Sequence, residues 1–247
     1  MTLATTASAG EWTAEELVRR AEDILRGSTA EMTATMTVRT PRWTRELKFH
    51  SWDDKSGDRS FVRILSPRKD RGTGFLRQGL HLWTYLPRVE RVMRIPASMM
   101  LQPWMGSDFT NDDLVRESSF VEDYVPKRLG EMEQDGVPLV GLELVPHEDA
   151  PVVWGRVEMW IERERFAPRL FIYFEEADAG EFAKVRTLRF DKVRMVQGRP
   201  LPHFWEMIPE DKPDHRTTIV VETMRFDEPL DDGLFTHENL RRAEGAR

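Results

Sequence analysis

The sequence predicts a mainly β protein, an antiparallel meander of strands. Three observations carry that reading: one long run of strict two-residue alternation, hairpin-turn signals at short intervals, and no long helical stretch between the strand-like runs. The alternation is clearest from Thr29 to Arg39. There Ala30, Met32, Ala34, Met36 and Val38 alternate with Thr29, Glu31, Thr33, Thr35, Thr37 and Arg39. Successive side chains of a strand point to opposite faces, so this strand has one apolar face and one polar face.

A single helix precedes it. Thr13-Ala14-Glu15-Glu16 fits a capping box, in which Thr and Glu satisfy each other's backbone N–H groups. Leu17, Val18, Ala21, Ile24 and Leu25 then make one apolar face, and Gly27 ends the helix. After the first strand, Leu47 to Trp52 and Phe61 to Leu65 flank a turn at Lys55-Ser56-Gly57-Asp58. Leu80 to Leu86 and Val89 to Ile95 flank Pro87-Arg88. Later strands are Leu139 to Val145 after Asp135-Gly136, Val152 to Glu162, and Leu170 to Phe174. Val185 to Val196 leads through Gln197-Gly198 to Leu201 to Ile208, and Thr217 to Phe226 comes last. Hairpins joining successive strands give a meander that is able to curl into a barrel. A parallel α/β sheet is excluded, because it needs helices between the strands.

One stretch breaks the pattern. Pro96 to Leu114 contains Met99, Met100, Leu101, Trp104, Met105 and Phe109, and its prolines keep it out of a regular element. Thr110-Asn111-Asp112-Asp113 reads as the capped, acidic start of a short helix. No repeat, low-complexity tract or linker is visible. The expected organisation is a tail at residues 1–10 and a single domain over residues 11–247.

Composition narrows the function. The net charge is −7, with basic and acidic residues interspersed, whereas a protein that neutralises phosphates shows a basic surplus. Nucleic acid is therefore not an expected partner. No stretch approaches the ~20 apolar residues of a membrane span. With no Cys, thiolate nucleophiles, disulfides and Cys-ligated zinc are excluded. Ala7-Ser8-Ala9 has the small-x-small form of a secretory cleavage site, but no basic and apolar regions precede it. It reads either as the remnant of a signal peptide or as an ordinary tail.

Enzyme motifs fail one after another. Gly72-Thr73-Gly74-Phe75-Leu76-Arg77 begins like a dinucleotide loop but has Arg where the third Gly belongs. There is no nucleophile elbow, P-loop or zinc-protease motif, and the six His are scattered without ligand spacing. Asp108-Phe109-Thr110-Asn111-Asp112 lacks the Gly and closing Glu of a calcium loop. The expectation is a protein without a catalytic site, metal or cofactor. The positive signal is soft and apolar: 12 Met, several of them in Met32–Met36 and Met93–Met105. Met adapts its shape, and it serves equally as core filling or as the lining of a promiscuous apolar surface.

A family resemblance tips that choice. Gly79-Leu80-His81-Leu82-Trp83-Thr84-Tyr85-Leu86-Pro87-Arg88-Val89-Glu90-Arg91 ends a strand in L-W-x-Y-x-P and returns in a charged strand. This run resembles the LolA/LolB lipoprotein-carrier superfamily. Other pieces are similar to its outer-membrane lipoprotein-sorting-like branch: Glu22 to Gly27, Ile64-Leu65-Ser66-Pro67, Met105 to Leu114, and Phe235-Thr236. Together they cover about residues 13 to 242.

The resemblance implies a strongly curved antiparallel sheet forming a half-open barrel, with an N-terminal helix and a helical or irregular plug. It implies a periplasmic carrier that shields acyl chains of a lipid or acylated protein in a hydrophobic cavity. An RND-type lipid exporter and transient membrane-protein contact are the implied partners. The lack of Cys matches a soluble carrier rather than an anchored receptor. The expected lining is Met32, Met36 and Val38 from the first strand, with Leu82 and Trp83 from the hairpin, of which only one can point inward. Met99, Met100, Leu101, Trp104 and Met105 are expected to form the plug. The competing reading is an envelope sensor or adaptor module that binds a protein partner through the same fold.

Overall fold

A computed structural model describes residues 12–115, 120–150, 152–177 and 180–242. The tail at residues 1–10, with Ala7-Ser8-Ala9, lies outside the described residues. Among the described residues thirteen strands form an antiparallel sheet that is not closed into a barrel, and helices are few. The strands are β1 (Thr29–Arg39), β2 (Thr44–Asp54), β3 (Arg59–Ser66), β4 (Gly74–Gln78), β5 (His81–Leu86) and β6 (Arg91–Ile95). They continue as β7 (Tyr124–Gln134), β8 (Val137–Pro146), β9 (Arg156–Glu162), β10 (Pro168–Glu176), β11 (Phe182–Val196), β12 (Arg199–Pro209) and β13 (Arg216–Phe226). The helices are α1 (Ala14–Leu25), α2 (Asn111–Val115), α3 (Phe120–Asp123) and α4 (His237–Arg241). The hydrogen-bonded order is β6-β5-β4-β3-β2-β1-β13-β12-β11-β10-β9-β8-β7, so every neighbour but the β1–β13 pair is consecutive in the chain.

The chain groups into two compact units, and it passes between them within β12, at Pro202 and His203. The first unit holds α1, α3 and β7 to β11. Its helix begins as the sequence predicts: Thr13 N–H donates to Glu16 Oε2 at 2.7 Å, and Glu16 N–H to Thr13 Oγ1 at 3.2 Å. Leu17, Val18, Ala21 and Ile24 are buried, and α1 packs against β7 and α3. The Asp135-Gly136 turn joins β7 to β8 with positive φ at both residues, the conformation a two-residue hairpin needs. Leu139, Val140, Leu142 and Leu144 of β8 and Val157, Met159 and Ile161 of β9 are all fully buried. Gly141 faces Trp160 across β8 and β9, and a Cβ on it would stand 2.7 Å from the indole ring.

The second unit holds β1 to β6, α2, β13 and α4. On β1, Ala34, Met36 and Val38 are buried, so the alternation read from the sequence is the one the sheet uses. β1 pairs β2 without a break, aligning Ala34 with Phe49 and Met36 with Leu47. Against β13 it carries a bulge, where Glu222 is the extra residue. The bulge keeps the faces in phase: Met36 opposes Ile219, Ala34 opposes Val221, and beyond the bulge Met32 opposes Met224. The Glu222 carboxylate accepts from Lys48 Nζ at 2.5 Å and Thr35 Oγ1 at 2.7 Å on the polar face.

The two faces of this unit carry separate apolar clusters. On one lie Ala34, Met36, Val38, Leu47, Phe49, Val62, Ile64, Phe75, Leu82 and Ile219. On the other lie Phe61, Leu76 and Tyr85, covered by Phe235 and by Leu240 of α4. The Arg63 guanidinium is buried on this second face and donates to the carbonyls of Gly72 (2.8 Å), Leu240 (3.1 Å) and Asn239 (2.6 Å). It thereby caps the C-terminal end of α4, where carbonyls have no partner within the helix.

Two strands were not expected from the sequence. β4 occupies the stretch first considered as a nucleotide loop; Gly74 to Arg77 are all buried, so no alternation marks them. β7 ends the strand order, and most of its residues are exposed. Its Pro126 and its charged residues suit an edge strand and mask it as one. Conversely, the strand expected to begin at Val152 begins at Arg156.

The β2–β3 turn yields a pH prediction. Burial would raise the Asp54 carboxyl, but Gly57 N–H (3.0 Å), Ser56 Oγ (2.8 Å) and Arg59 Nε (2.8 Å) all donate to it. Those bonds outweigh the burial and hold it below the ordinary carboxylate range. A depressed folded pKa stabilises the fold above the unfolded pKa, and that contribution disappears as pH falls through the folded value. Asp54→Asn is expected to cost about 1–2 kcal/mol at neutral pH. Urea denaturation of both proteins from pH 7 downward should show the gap narrowing in acid.

Candidate functional site

The candidate site is the first apolar face of the second unit, together with the segment that covers it. Strands β1 to β5 and β13 build the face. After β6 the chain makes a 3-10 turn at Ala97–Met99 and a second at Trp104–Gly106. Met100, Trp104, Met105 and Phe109 pack onto the face, beside Met32, Ile95 and Trp205. At the centre is Trp104, which is 3% exposed. Its indole meets Phe49 and Phe75 edge-on, with ring centroids 5.7 Å away in each case. Aromatic pairs of that geometry contribute about 0.5–1.5 kcal/mol beyond their area.

Polar contacts fix the segment at a few points. Arg45, on the edge of the same face, donates from Nη1 to the Met105 carbonyl (3.0 Å) and from Nη2 to Asp70 Oδ2 (2.7 Å). This matters because Met105 is held at φ +52, a left-handed conformation that costs a non-glycine residue about 1–2 kcal/mol. Asp108 N–H donates to Thr217 Oγ1 at 2.9 Å, and Thr217 Oγ1 donates back to Asp108 Oδ2 at 2.7 Å. Thr217 is fully buried in β13, so this exchange ties the segment to the middle of the sheet. Within the segment, Trp104 N–H donates to the Phe109 carbonyl at 2.8 Å. Asn111 Nδ2 reaches the Met99 carbonyl at 3.0 Å, and Asp112 N–H reaches that of Met100 at 2.8 Å. The start of α2 is capped as expected, with Thr110 and Asp113 exchanging bonds of 2.7 and 3.3 Å.

The residues singled out from the sequence fall into three groups. Met32, Met36, Val38, Leu82, Met100, Trp104 and Met105 come together on this face. Met99 and Leu101 belong to the covering segment but turn outward, 48% and 52% exposed. Trp83 lies on the opposite face, packed against the second cluster with its ring centroid 4.8 Å from that of His237. Of that pair, Leu82 is the one that shares the face of Met36 and Val38. The lining expected from the sequence does not include Phe49, Ile64, Phe75 or Ile219, nor Phe109, which the sequence places in the covering segment. Alternation in β2 offered a signal for Phe49; Phe75 had none, because β4 itself was not recognised.

Among the described residues, no group of three or more His, Cys, Asp or Glu is placed to hold a metal ion. No helix among them is long and apolar enough to cross a membrane.

Comparison with known proteins places this architecture. A model of a family described as "Uncharacterized protein" matches residues 56–242. No curated protein matches the chain. Among solved structures, one described as an outer membrane lipoprotein-sorting protein domain from Vibrio parahaemolyticus is similar, with a TM-score of 0.78 at 21% identity. That match covers 95% of this chain and 100% of the other. A DUF1329 family protein from Desulfovibrio piger gives a TM-score of 0.80 at 22% identity, covering 92% and 97% of the two chains. A LolA superfamily protein from Nitrosomonas europaea gives 0.74 at 22% identity, covering 92% and 99%. The chain belongs to the family whose model spans residues 56–242, and its fold is the LolA-like fold of these structures.

Proposed function

We propose that this protein is a periplasmic carrier of a lipid or an acylated protein, sheltering acyl chains against the apolar face of its second unit. The observation that carries the reading is the way the face is closed. A Met-rich segment without charge from Ile95 to Met105 lies on it, rather than a second layer of regular structure. Met side chains re-pack at low cost, so their contacts can be exchanged for contacts with an acyl chain. The likeness to a lipoprotein-sorting domain and to a LolA superfamily protein supports the reading. A periplasmic address and contact with an RND-type exporter belong to the same proposal; they follow from the resemblance of the sequence to the lipoprotein-carrier superfamily.

The energetics suit reversible capture. Burying about ten methylenes gives ~8 kcal/mol at ~0.8 each. That corresponds to about micromolar binding before ordering costs, weak enough for release to an acceptor. Catalysis plays no part in the proposal.

Protein purified under native conditions is expected to carry, or to take up, a long-chain lipid in about equimolar amount. Solvent extraction with mass spectrometry, and native mass spectra of the intact protein, check this. Bare protein that also ignores saturating acyl probes would exclude the carrier.

In its native host the full-length gene product is expected in the periplasmic fraction. Recovery solely with cytoplasmic markers would contradict the address.

Met100→Asp separates a movable cover from a fixed core. Met100 is half-buried on the face. If the segment opens, the new carboxylate turns to water; stability falls by about 1 kcal/mol while lipid uptake drops sharply. In a fixed core the buried, unpaired charge costs several kcal/mol. Thermal melts of lipid-free protein beside a lipid titration decide between them. A collapsed melting temperature, or unchanged uptake at unchanged stability, rules out a movable cover.

A further inference from the structure

An acyl chain needs only grease, yet this face also holds polar atoms that the protein itself leaves unmatched. The Trp104 indole N–H is buried, and no hydrogen-bond acceptor among the described residues reaches it. The same is true of the Thr84 hydroxyl, whose residue is 8% exposed. Strand alternation puts Thr84 on the face of Leu82, and in the sheet Thr84 stands directly opposite Phe75. Phe75 is in turn one of the two rings that hold Trp104. Two unmatched donors thus flank one phenylalanine on the face assigned to the ligand. Buried polar groups are nearly always paired, so such a coincidence asks for an acceptor.

We propose that Trp104 Nε1–H and Thr84 Oγ1–H form a polar anchor for the neutral carbonyl of an ester- or amide-linked acyl chain. The inference rests on the carrier reading and narrows its cargo. Both donors are uncharged, which matches a neutral carbonyl oxygen. A buried carboxylate would need a cation of its own. The charges of the arginines on this face are already matched by carboxylates, Arg45 by Asp70 at 2.7 Å and Arg77, opposite Leu82, by Asp58 at 2.5 Å, although Arg45 Nε itself has no acceptor among the described residues. Free fatty acids are therefore disfavoured relative to esters and amides. The anchor also fixes depth, because it holds the carbonyl at one point while the chain runs along the methionines.

The test uses delipidated protein and three probes of equal chain length: methyl laurate, n-dodecane and laurate. Each competes with a fluorescent apolar dye. The wild-type protein should prefer methyl laurate to n-dodecane by about fivefold to tenfold for each hydrogen bond made. Laurate should bind no tighter than its ester at neutral pH. Thr84→Val and Trp104→Phe each delete a donor and keep an apolar side chain. Both should lose most of the ester preference, and in Thr84→Val the affinity for n-dodecane should stay within about twofold. Thr84→Val, nearly isosteric, should melt no lower than the wild type, since it removes a buried unmatched hydroxyl. If Trp104→Phe does not fold, Thr84→Val alone decides. Equal binding of ester and alkane by the wild type, an ester preference retained in the variants, or tighter binding of laurate would each overturn the anchor and leave the carrier standing. Displacement of the dye by none of the probes would overturn both.

Discussion

The second unit depends on closing one face of its sheet, and Trp104 is where the closure is made. Strands β1 to β5 and β13 present a continuous apolar surface, and leaving it in water would cost roughly 25 cal/mol for every Å². A sheet can meet that demand with a helix or a second sheet. Here the chain meets it with an irregular segment between β6 and α2. Irregular backbone brings its own difficulty, because its N–H and C=O groups need partners once buried. The bonds within Met99–Asp112, with those from Arg45 and Thr217, answer it. Met105 shows how far the arrangement is imposed: its left-handed backbone persists with Arg45 holding its carbonyl.

The opposite face is closed by different means, and the contrast is informative. There α4 and Phe235 pack on Phe61, Leu76 and Tyr85, and Arg63 ties the helix end to the sheet through three carbonyls. Charge-assisted bonds of that kind are among the stronger ones available, and they are buried. The segment that carries Trp104 is held instead by the half-buried Arg45, by the Thr217–Asp108 exchange and by His215 3.8 Å from Asp108. Two layers over one sheet thus differ in what fixes them. On the proposed reading, the layer without a helix is the one that exchanges with cargo.

Legibility in the sequence followed the physics of burial on one side. β1 was read with its boundaries and its inward face, because one of its faces is apolar and the other polar over eleven residues. The turns at Asp135-Gly136 and Gln197-Gly198 were read from residues that tolerate positive φ, and both have it. The helix caps at Thr13 and Thr110 were read from local side-chain chemistry. β4 was hidden because a strand covered on both faces shows no alternation, and Gly72-Thr73-Gly74 in front of it mimicked a loop motif. β7 was hidden for the converse reason, since an edge strand open to water needs no apolar pattern. At the site, composition marked the covering segment but could not say which side chains turn in. Nothing in the order Met99-Met100-Leu101 sets Met100 apart; only the 3-10 turn that precedes it directs one methionine inward and its neighbours out.

The unmatched donors follow from the same constraint. A face built to be dry in the closed protein gains nothing in stability from a threonine hydroxyl or an indole N–H; valine would cover the same area as Thr84, and phenylalanine most of that of Trp104. Keeping them costs about 1–3 kcal/mol for each unpaired group. That cost sits beside Phe75, under a cover of adaptable residues, on the face opposite the arginine-held helix. A carrier has to release what it holds, so it cannot depend on apolar contact alone, which grows with every methylene and does not discriminate between head groups. A hydrogen bond made only at the carbonyl supplies discrimination with little added affinity. On the proposed reading Thr84 and Trp104 stand on the side of the sheet that exchanges with cargo, which is what that division of labour requires.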